Sequence, residues 1–187
     1  MYYDLTGLPP SEQNVIDFLN DSSKNSYEKL VDNLLNSPRY GERWGRKWLD
    51  TARYSDTTGT VNNNREPRFT YSHTYRDYVI NSLNNDKPFD RFALEQIAAD
   101  KLKDIKREDL AALGFLSIGK ESNNINDMID DRIDVVTKGF MATTMVCTRC
   151  HDHKFDPFTT KDYYALDRKS TRLNSSHVSE SRMPSSA

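Results

Sequence analysis

The chain has 187 residues, with 26 basic and 28 acidic side chains and a formal net charge of -2. This length suits one domain of ordinary size, and an aromatic content of 11% argues against a disordered chain. The sequence has no basic stripe, which argues against nucleic acid as a partner. It also has no run of about 18 apolar residues, so we expect no membrane span in this fragment.

Apolar residues recur with a helical period along most of the chain, and this predicts an all-α fold, a compact irregular multi-helix domain. Ser11 is the expected N-cap of a first helix, and Ser26 that of a second helix that stops near Pro38. The next helix carries Trp44 and Trp48 at i and i+4, and we expect both indole rings to be buried.

A long loop follows the tryptophan helix. Residues 55–73 have no periodicity and contain many turn-forming residues, a pattern typical of a functional or mobile loop. Further helices are predicted in residues 74–86, 87–102, 107–118 and 128–146, and a last one from about residue 160. The helix over 128–146 is expected to lead directly into Cys147.

The C-terminal residues differ sharply in composition from the rest. The stretch RKSTRLNSSHVSESRMPSSA, residues 168–187, is rich in Ser, Arg and small residues and resembles a translated sequencing-adaptor sequence. We therefore expect residues 1–167 to form the helical domain and residues 168–187 to be a non-native or disordered tail. On this interpretation His177 is not a ligand.

The stretch MVCTRCHDHKFDP, residues 145–157, contains both cysteines and two of the four histidines. The pattern Cys147-x-x-Cys150-His151 matches c-type haem attachment, in which two thiols bond the haem vinyl groups and the adjacent histidine binds the iron. We expect a compact turn that brings both sulfurs within a few ångströms of each other and projects His151 from the same side.

Two other interpretations of this stretch remain open. Cys147, Cys150, His151 and His153 could bind zinc or another transition metal, although four ligands within seven residues make a cramped site. Alternatively, the two cysteines could form a local structural disulfide.

The residues around the motif have predicted roles as well. Asp152 and Asp156 could orient a histidine ring. Candidate sixth ligands of a haem iron are Met128, Met141 and His73. Four acidic residues of the preceding helix are predicted to form a solvated face: Asp127, Asp130, Asp131 and Asp134.

Several stretches together resemble one family, the planctomycete-type domain of unknown function (PSCyt-like) that accompanies planctomycete cytochrome c domains. The similarity covers residues 2–166. It is carried by YYDLTGLPPSEQNVIDFL, YEKLVDNLLNSPRYGERWGRKWLDTARYSDTTG, YRDYVINSLNNDKPFDRFALEQIAAD, LAALGFLSIG and CTRCHDHKFDPFTTKDYYAL.

The resemblance implies a helical domain of a large exported protein, periplasmic or at the cell surface, with a cytochrome c-like domain in the same full-length chain or a separate redox partner. The chain is then expected to be a fragment truncated at both ends, and it lacks a signal peptide at Met1. Family positions Arg53, Asp56, Arg76 and Asp77 could line a pocket or hold haem propionates; the alternative is a network of helix caps and ion pairs.

Three functional hypotheses follow. The first is a c-type haem-linked redox or electron-transfer module. The second is a metal-binding hydrolytic or carbohydrate-processing accessory domain, with Arg53, Asp56 and Asp77 contacting substrate. The third is a structural or binding domain with a local disulfide. The resemblance assigns no reaction, so the sequence leaves enzymatic activity open.

Overall fold

The computed structural model describes residues 1–57, 68–119, 122 and 124–172, and side chains as far as residue 167. The all-α prediction is confirmed: in this part of the chain the only extended pairing is one antiparallel bridge between Thr57 and Arg68. The α-helices are α1 (Tyr2–Leu5), α2 (Glu12–Asn20), α3 (Ser26–Leu35), α4 (Pro38–Thr51), α5 (Ser72–Asn84), α6 (Phe89–Ala98), α7 (Gly114–Ser117), α8 (Ile125–Met141) and α9 (Thr160–Arg172). Short 3-10 helices span Ala99–Lys101, Arg107–Leu113 and Val146–Arg149. None of the helices described is long and apolar enough to cross a membrane.

Local sequence signals explain several of these helix ends. Ser11 caps α2 in a reciprocal capping box with Asn14, as the sequence predicts. Ser26 is the first residue of α3 rather than its cap, which is Asn25. Helix α8 ends at Met141, five residues before the predicted end, because Ala142 adopts a left-handed conformation with φ of 53°.

The chain forms two compact units, residues 1–119 and residues 120–187. In the first unit α4 packs against α5, and the buried residues of α4 are Gly41, Gly45 and Leu49. The prediction that both tryptophans are buried is wrong for Trp44, which is 37% exposed, and Trp48 is half-buried. The glycines take the inward stripe because the absence of a side chain lets the two helices approach closely.

An aromatic cluster and two buried polar networks complete the first core. The Trp48 ring lies edge-on to Phe92 at 5.0 Å and stacks on Phe115 at 5.6 Å. The Trp48 indole N–H donates to the Tyr75 hydroxyl at 3.1 Å, and Tyr75 donates to Gln96 Oε1 at 2.7 Å. Since Tyr75 and Gln96 are fully buried, these bonds satisfy groups that would otherwise be costly to bury.

The second network surrounds the buried carboxylate of Glu95. It accepts hydrogen bonds from Lys87 at 2.5 Å, Arg91 at 2.6 Å and Tyr78 at 2.8 Å. Burial raises the pKa of Glu95, but these three hydrogen bonds outweigh it and hold the pKa below its ordinary value. Lys87 also pairs with Asp109 at 3.2 Å. The network therefore joins α5 and α6 to the 3-10 helix Arg107–Leu113.

The second unit is built around α8 and α9. Its core contains Ile129, Ile133, Met145 and Tyr163, all at most 3% exposed, with Phe158 and Leu166 packed against them. Helix α9 continues to Arg172 and so includes the first five residues of the predicted tail. The rest of that tail, 173–187 with His177, and residues 58–67 of the predicted long loop lie outside the described residues.

Candidate functional site

The Cys-x-x-Cys-His sequence forms a compact turn. The 3-10 helix Val146–Arg149 contains Cys147, and Cys150 is its C-cap. The backbone N–H groups of Cys150 and His151 both donate to the Cys147 carbonyl, at 3.3 and 3.4 Å. In a 3-10 helix residues i and i+3 eclipse each other, so this geometry favours both sulfurs on one face. Both cysteines are exposed free thiols in the structure.

The opposite face of the turn anchors it to the core. Met145 is 1% exposed and Thr148 is fully buried, and they are again separated by three residues. The Thr148 hydroxyl donates to the Met145 carbonyl at 2.5 Å. The alternation of inward Met145 and Thr148 with outward Cys147 and Cys150 therefore presents the thiols to solvent from a fixed support.

A charged clamp, defined here as Asp130, Arg149 and Tyr163, ties the turn to both long helices of the unit. The Arg149 guanidinium pairs with one carboxylate oxygen of Asp130 on α8, and the Tyr163 hydroxyl on α9 donates to the other. The Tyr164 hydroxyl adds a bond to the Arg149 carbonyl at 3.2 Å. The arginine between the two cysteines is thus held through its guanidinium by Asp130 and through its carbonyl by Tyr164.

The clamp corrects one sequence-based prediction. Asp130 and Asp134 were expected on a solvated face of α8, but their side chains are only 15% and 18% exposed. Burial raises the pKa of Asp130, although Arg149 opposes this, and burial together with the neighbouring Asp130 charge raises the pKa of Asp167. A signal was available in the sequence: Asp130 adjoins the buried Ile129, and an arginine of opposite charge lies inside the cysteine motif.

The His151 ring has the hydrogen bonding of a ligand histidine. Its Nδ1 lies 2.8 Å from the Asp152 carbonyl, which can only accept, so Nδ1 carries the proton. The lone pair therefore resides on Nε2, and the ring is exposed. A backbone carbonyl bound to one ring nitrogen is a common way of fixing the tautomer of a metal-binding histidine.

The His153 ring is arranged in the opposite way. Its Nδ1 accepts the backbone N–H of Asp156 at 2.9 Å and that of Phe155 at 3.3 Å. The neutral ring with these bonds carries its proton on Nε2, which occupies the nitrogen that a metal would need. The Asp156 carboxylate lies 3.3 Å from Nδ1, so Asp156 contacts a histidine ring as the sequence predicted. In this geometry His153 shapes the loop, whereas His151 offers a free lone pair.

The remaining residues near the motif also have structural partners. Asp152 accepts the N–H of Thr160 at 2.8 Å, at the start of α9, and Asp156 accepts the Thr143 hydroxyl at 3.0 Å. Within the described residues no three His, Cys, Asp or Glu side chains converge as a metal site. Of the candidate sixth ligands, Met128 is half-buried, Met141 is 52% exposed, and His73 is exposed in the first unit.

The four charged residues proposed to line a pocket have separate contacts in the first unit. Arg53 has a left-handed backbone, with φ of 58°, and its guanidinium lies 3.5 and 3.4 Å from the carbonyls of Phe115 and Ile118. Arg76 pairs with the adjacent Asp77 at 3.0 Å. These contacts join the end of α4 to α7 and fix charges on α5.

Asp56 belongs to a small hydroxyl cluster. It accepts from Tyr54 at 2.7 Å and from Ser72 at 3.1 Å. These two bonds, aided by the nearby Arg76 and His73 charges, hold the pKa of Asp56 below its ordinary value. Asp56 and Arg76 are therefore electrostatic neighbours.

These features define an all-α protein with an exposed Cys-x-x-Cys-His turn. The chain matches the family PSCyt2, described as Protein of unknown function (DUF1549), over residues 1–173, and it belongs to that family. The resemblance to the planctomycete cytochrome-associated domain of unknown function is thereby confirmed. No curated protein matches the chain, and no solved structure does.

Proposed function

We propose that the second unit holds a c-type haem on Cys147, Cys150 and His151 and acts in electron transfer. The observation that supports this most directly is the His151 ring, whose Nδ1 is bonded to a carbonyl and whose lone pair is therefore on Nε2, in a turn that carries two exposed free thiols. Two thiols and one imidazole in this order are the donors that covalent haem attachment requires.

Each residue of the turn has a defined task in this proposal. Cys147 and Cys150 would hold the haem through thioether bonds, and Nε2 of His151 would bind its iron. The clamp on Arg149 keeps the segment between the two cysteines in place. A haem bound here supplies one-electron transfer at its iron. Two exposed apolar side chains flank the motif in sequence, Val146 at 42% and Phe155 at 84%, and offer apolar surface.

The proposal extends to location and partner. Covalent haem attachment accords with export to the periplasm or cell surface, which the family resemblance implies. The partner would be a cytochrome c-like domain in the same full-length protein or a separate redox protein, as the family's association with cytochromes suggests.

The test is expression of the chain behind an export leader in a host competent for cytochrome c maturation. We expect a Soret band and a protein mass increased by one haem that survives acidic acetone. Cys147→Ser and Cys150→Ser should each leave a single thioether, and His151→Ala should retain the mass but change the axial-ligand spectrum. His153→Ala is the matched control and should preserve the spectrum.

Two outcomes would contradict the proposal. If the matured protein carries zinc or another transition metal and no haem, the metal-binding hypothesis replaces it. If the protein carries neither, and the thiols oxidise to a disulfide, a structural or binding role is the better interpretation.

A further inference from the structure

A cleft in the first unit opens between the N-terminus of α5 and the segment made of the 3-10 helix Arg107–Leu113 and α7. Its volume is about 410 Å³, within the range of about 300–1,000 Å³ that is usual for small-molecule pockets. One wall comes from residues 69–75 and the other from residues 110–118. Tyr75 is 1% exposed and packs so closely on Gly114 that a Cβ there would lie 2.6 Å from its side chain. The two walls are therefore held together by close packing at Tyr75.

The lining of the cleft is uncharged. Its twelve residues are apolar, aromatic or hydroxyl-bearing, with one glycine and no Asp, Glu, Lys, Arg or His. The hydroxyls of Thr74 and Ser117 donate to backbone carbonyls at 2.8 and 3.2 Å, and each keeps lone pairs that can accept. Within the described residues the side-chain hydroxyls of Thr70 and Tyr71 have no bonding partner. A charged ligand would find no counter-charge in these walls, whereas a neutral ligand rich in hydroxyl groups matches them.

An exposed aromatic ring borders the cleft. Tyr71 is 75% exposed and is the N-cap of α5 without a side-chain hydrogen bond. Among the described residues its ring stacks on no other ring. Phe69 lies two residues earlier in the same wall and is half-buried. Aromatic faces beside hydroxyl groups suit sugar rings, because the C–H face of the sugar packs on the aromatic ring while its hydroxyls reach the polar edge.

The Asp56 carboxylate lies beside this wall. Its Oδ1 accepts the hydroxyl of Ser72, which lines the cleft, at 3.1 Å and that of Tyr54 at 2.7 Å. Both bonds go to Oδ1, so Oδ2 keeps its capacity to accept hydroxyl groups from a ligand. The nearby Arg76 is already paired with Asp77 at 3.0 Å. An anionic ligand would therefore meet a carboxylate at this edge and no cation in the lining of the cleft.

We propose that this cleft binds a neutral carbohydrate of one or two sugar rings. The Tyr71 ring would pack on the C–H face of one sugar, and Asp56 and Thr70 would bond its hydroxyl groups. A wholly apolar ligand would cover the hydroxyls of the walls without satisfying them, at a cost in free energy. A uronic acid or sulfated sugar would bring a negative charge to Asp56.

The experiment measures sugar binding to the full chain by saturation-transfer NMR and isothermal titration calorimetry. The probes are cellobiose, maltose and xylobiose. Digalacturonic acid is the charged comparison, and indole is an aromatic ligand without hydroxyl groups. We expect at least one neutral disaccharide to bind with an affinity that hardly changes with salt. Digalacturonic acid and indole should bind at least about tenfold more weakly.

Variants of exposed residues assign the binding to the cleft. Tyr71→Ala should weaken the affinity about tenfold or more, whereas Tyr71→Phe keeps the ring and should retain most of it. Asp56→Asn should weaken it several-fold, because a neutral amide accepts hydroxyl bonds less strongly than a carboxylate. Tyr3→Ala is the matched control: it removes a tyrosine that is 63% exposed on α1 and should leave binding unchanged. Circular dichroism should show full helix content in each variant, since none of the changed side chains is buried.

Several results would overturn the proposal. Absence of binding by all three neutral disaccharides would do so, as would binding that Tyr71→Ala leaves unchanged or that Tyr3→Ala weakens equally. Equal binding of digalacturonic acid would show that the uncharged lining and Asp56 do not select the ligand. Indole binding as tightly as the best disaccharide would assign the cleft to aromatic ligands instead. Because the cleft lies in the first unit, these outcomes are independent of the haem proposal.

Discussion

Among the described glycines of the first unit, Gly41 has the least room for a side chain. A Cβ at this position would lie 2.5 Å from both the Asn84 side-chain oxygen and the Ile80 carbonyl on α5. The Gly41 N–H also donates to that Asn84 oxygen at 2.7 Å. The close approach of α4 and α5 is therefore incompatible with any side chain at Gly41.

We expect Gly41→Ala to destabilise the first unit by about 2–3 kcal/mol, because the methyl group must push backbone as well as side-chain atoms. Gly45→Ala is the matched control. Its Cβ would lie 3.3 Å from Ile80 Cγ1, 3.6 Å from Val79 Cγ1 and 3.8 Å from the Ile80 Cα, so a change within about 1 kcal/mol is expected after the gain in helix propensity. Urea unfolding followed by tryptophan fluorescence measures both; equal losses would show that the helices are not in close contact at Gly41.

The two histidines of the turn lead to a second prediction at this scale. In the haem-free protein, above the pH range in which imidazole titrates, His151 should carry its proton on Nδ1 and His153 on Nε2. Nitrogen chemical shifts in an imidazole-optimised NMR correlation distinguish the two tautomers. Exposed His73 serves as the unconstrained reference; an Nε2–H form of His151 would remove the main support for its role as a ligand.

Tryptophan 44 shows what residue-level sequence reasoning could and could not predict. The i, i+4 spacing correctly predicted an amphipathic α4. It did not reveal that the buried stripe consists of Gly41, Gly45 and Leu49, because a pattern of large residues ignores glycines that bury backbone. Trp44 instead lies at the edge, beside Tyr40 and under Lys47, while Trp48 reaches the aromatic cluster.

At the scale of elements, the clamp determines how the cysteine turn is held. Asp130 joins the 3-10 helix to α8 and α9 through Arg149 and Tyr163. We expect Asp130→Ala to destabilise the second unit by about 1–2 kcal/mol. Loss of the carboxylate leaves Arg149 and Tyr163 without their partner, but Arg149 is 38% exposed and solvent moderates the cost.

The comparison variant for the clamp is Lys138→Met. It breaks the i, i+4 pair of Lys138, whose side chain is 53% exposed, with Asp134 on the same helix, worth about 0.3–0.5 kcal/mol. Amide hydrogen exchange over residues 145–151 provides the second readout. It should accelerate in Asp130→Ala and remain unchanged in Lys138→Met; equal exchange in both variants would mean that the clamp does not hold the turn.

The elements also show where periodicity is informative. Helices α5, α6 and α9 were predictable because a helical apolar spacing continues over ten or more residues. The end of α8 was missed, since residues 142–146 remain apolar enough to extend the pattern while Ala142 turns left-handed. Thr143 then donates to Asp156 across the loop, a tertiary contact that no local pattern encodes.

At the scale of the whole molecule, the two units differ in their buried carboxyl groups. In the first unit the buried Glu95 has a lowered pKa. Its network therefore stabilises the fold fully above the ordinary pKa of a glutamate, and the contribution is lost as the pH falls through the lowered value. The pKa values of Asp21, Asp56 and Asp104, also in the first unit, are lowered as well.

In the second unit the pKa shifts of the buried carboxyl groups run in the opposite direction. Asp130 and Asp167 have raised pKa values, mainly from burial. A carboxyl whose pKa is higher in the folded than in the unfolded state disfavours folding once it is ionised, and this cost is relieved as the pH falls through the raised value. The pKa of Asp162 is lowered instead, but this residue lies exposed at the start of α9.

We therefore expect acidification from neutral pH into the carboxyl range to destabilise residues 1–119 more than residues 120–172. The reason is that protonation removes the ion pairs of Glu95 with Lys87 and Arg91, whereas it relieves the buried charges of Asp130 and Asp167. Hydrogen exchange resolved by mass spectrometry follows the two units separately, and tryptophan fluorescence reports the first alone because Trp44 and Trp48 both lie there.

Glu95→Gln should flatten the pH dependence of the stability of the first unit, and Asp130→Asn should flatten that of the second. An equal loss of protection in both units as the pH falls, unaltered by Glu95→Gln, would show that these buried carboxyl groups do not set the acid stability of the protein.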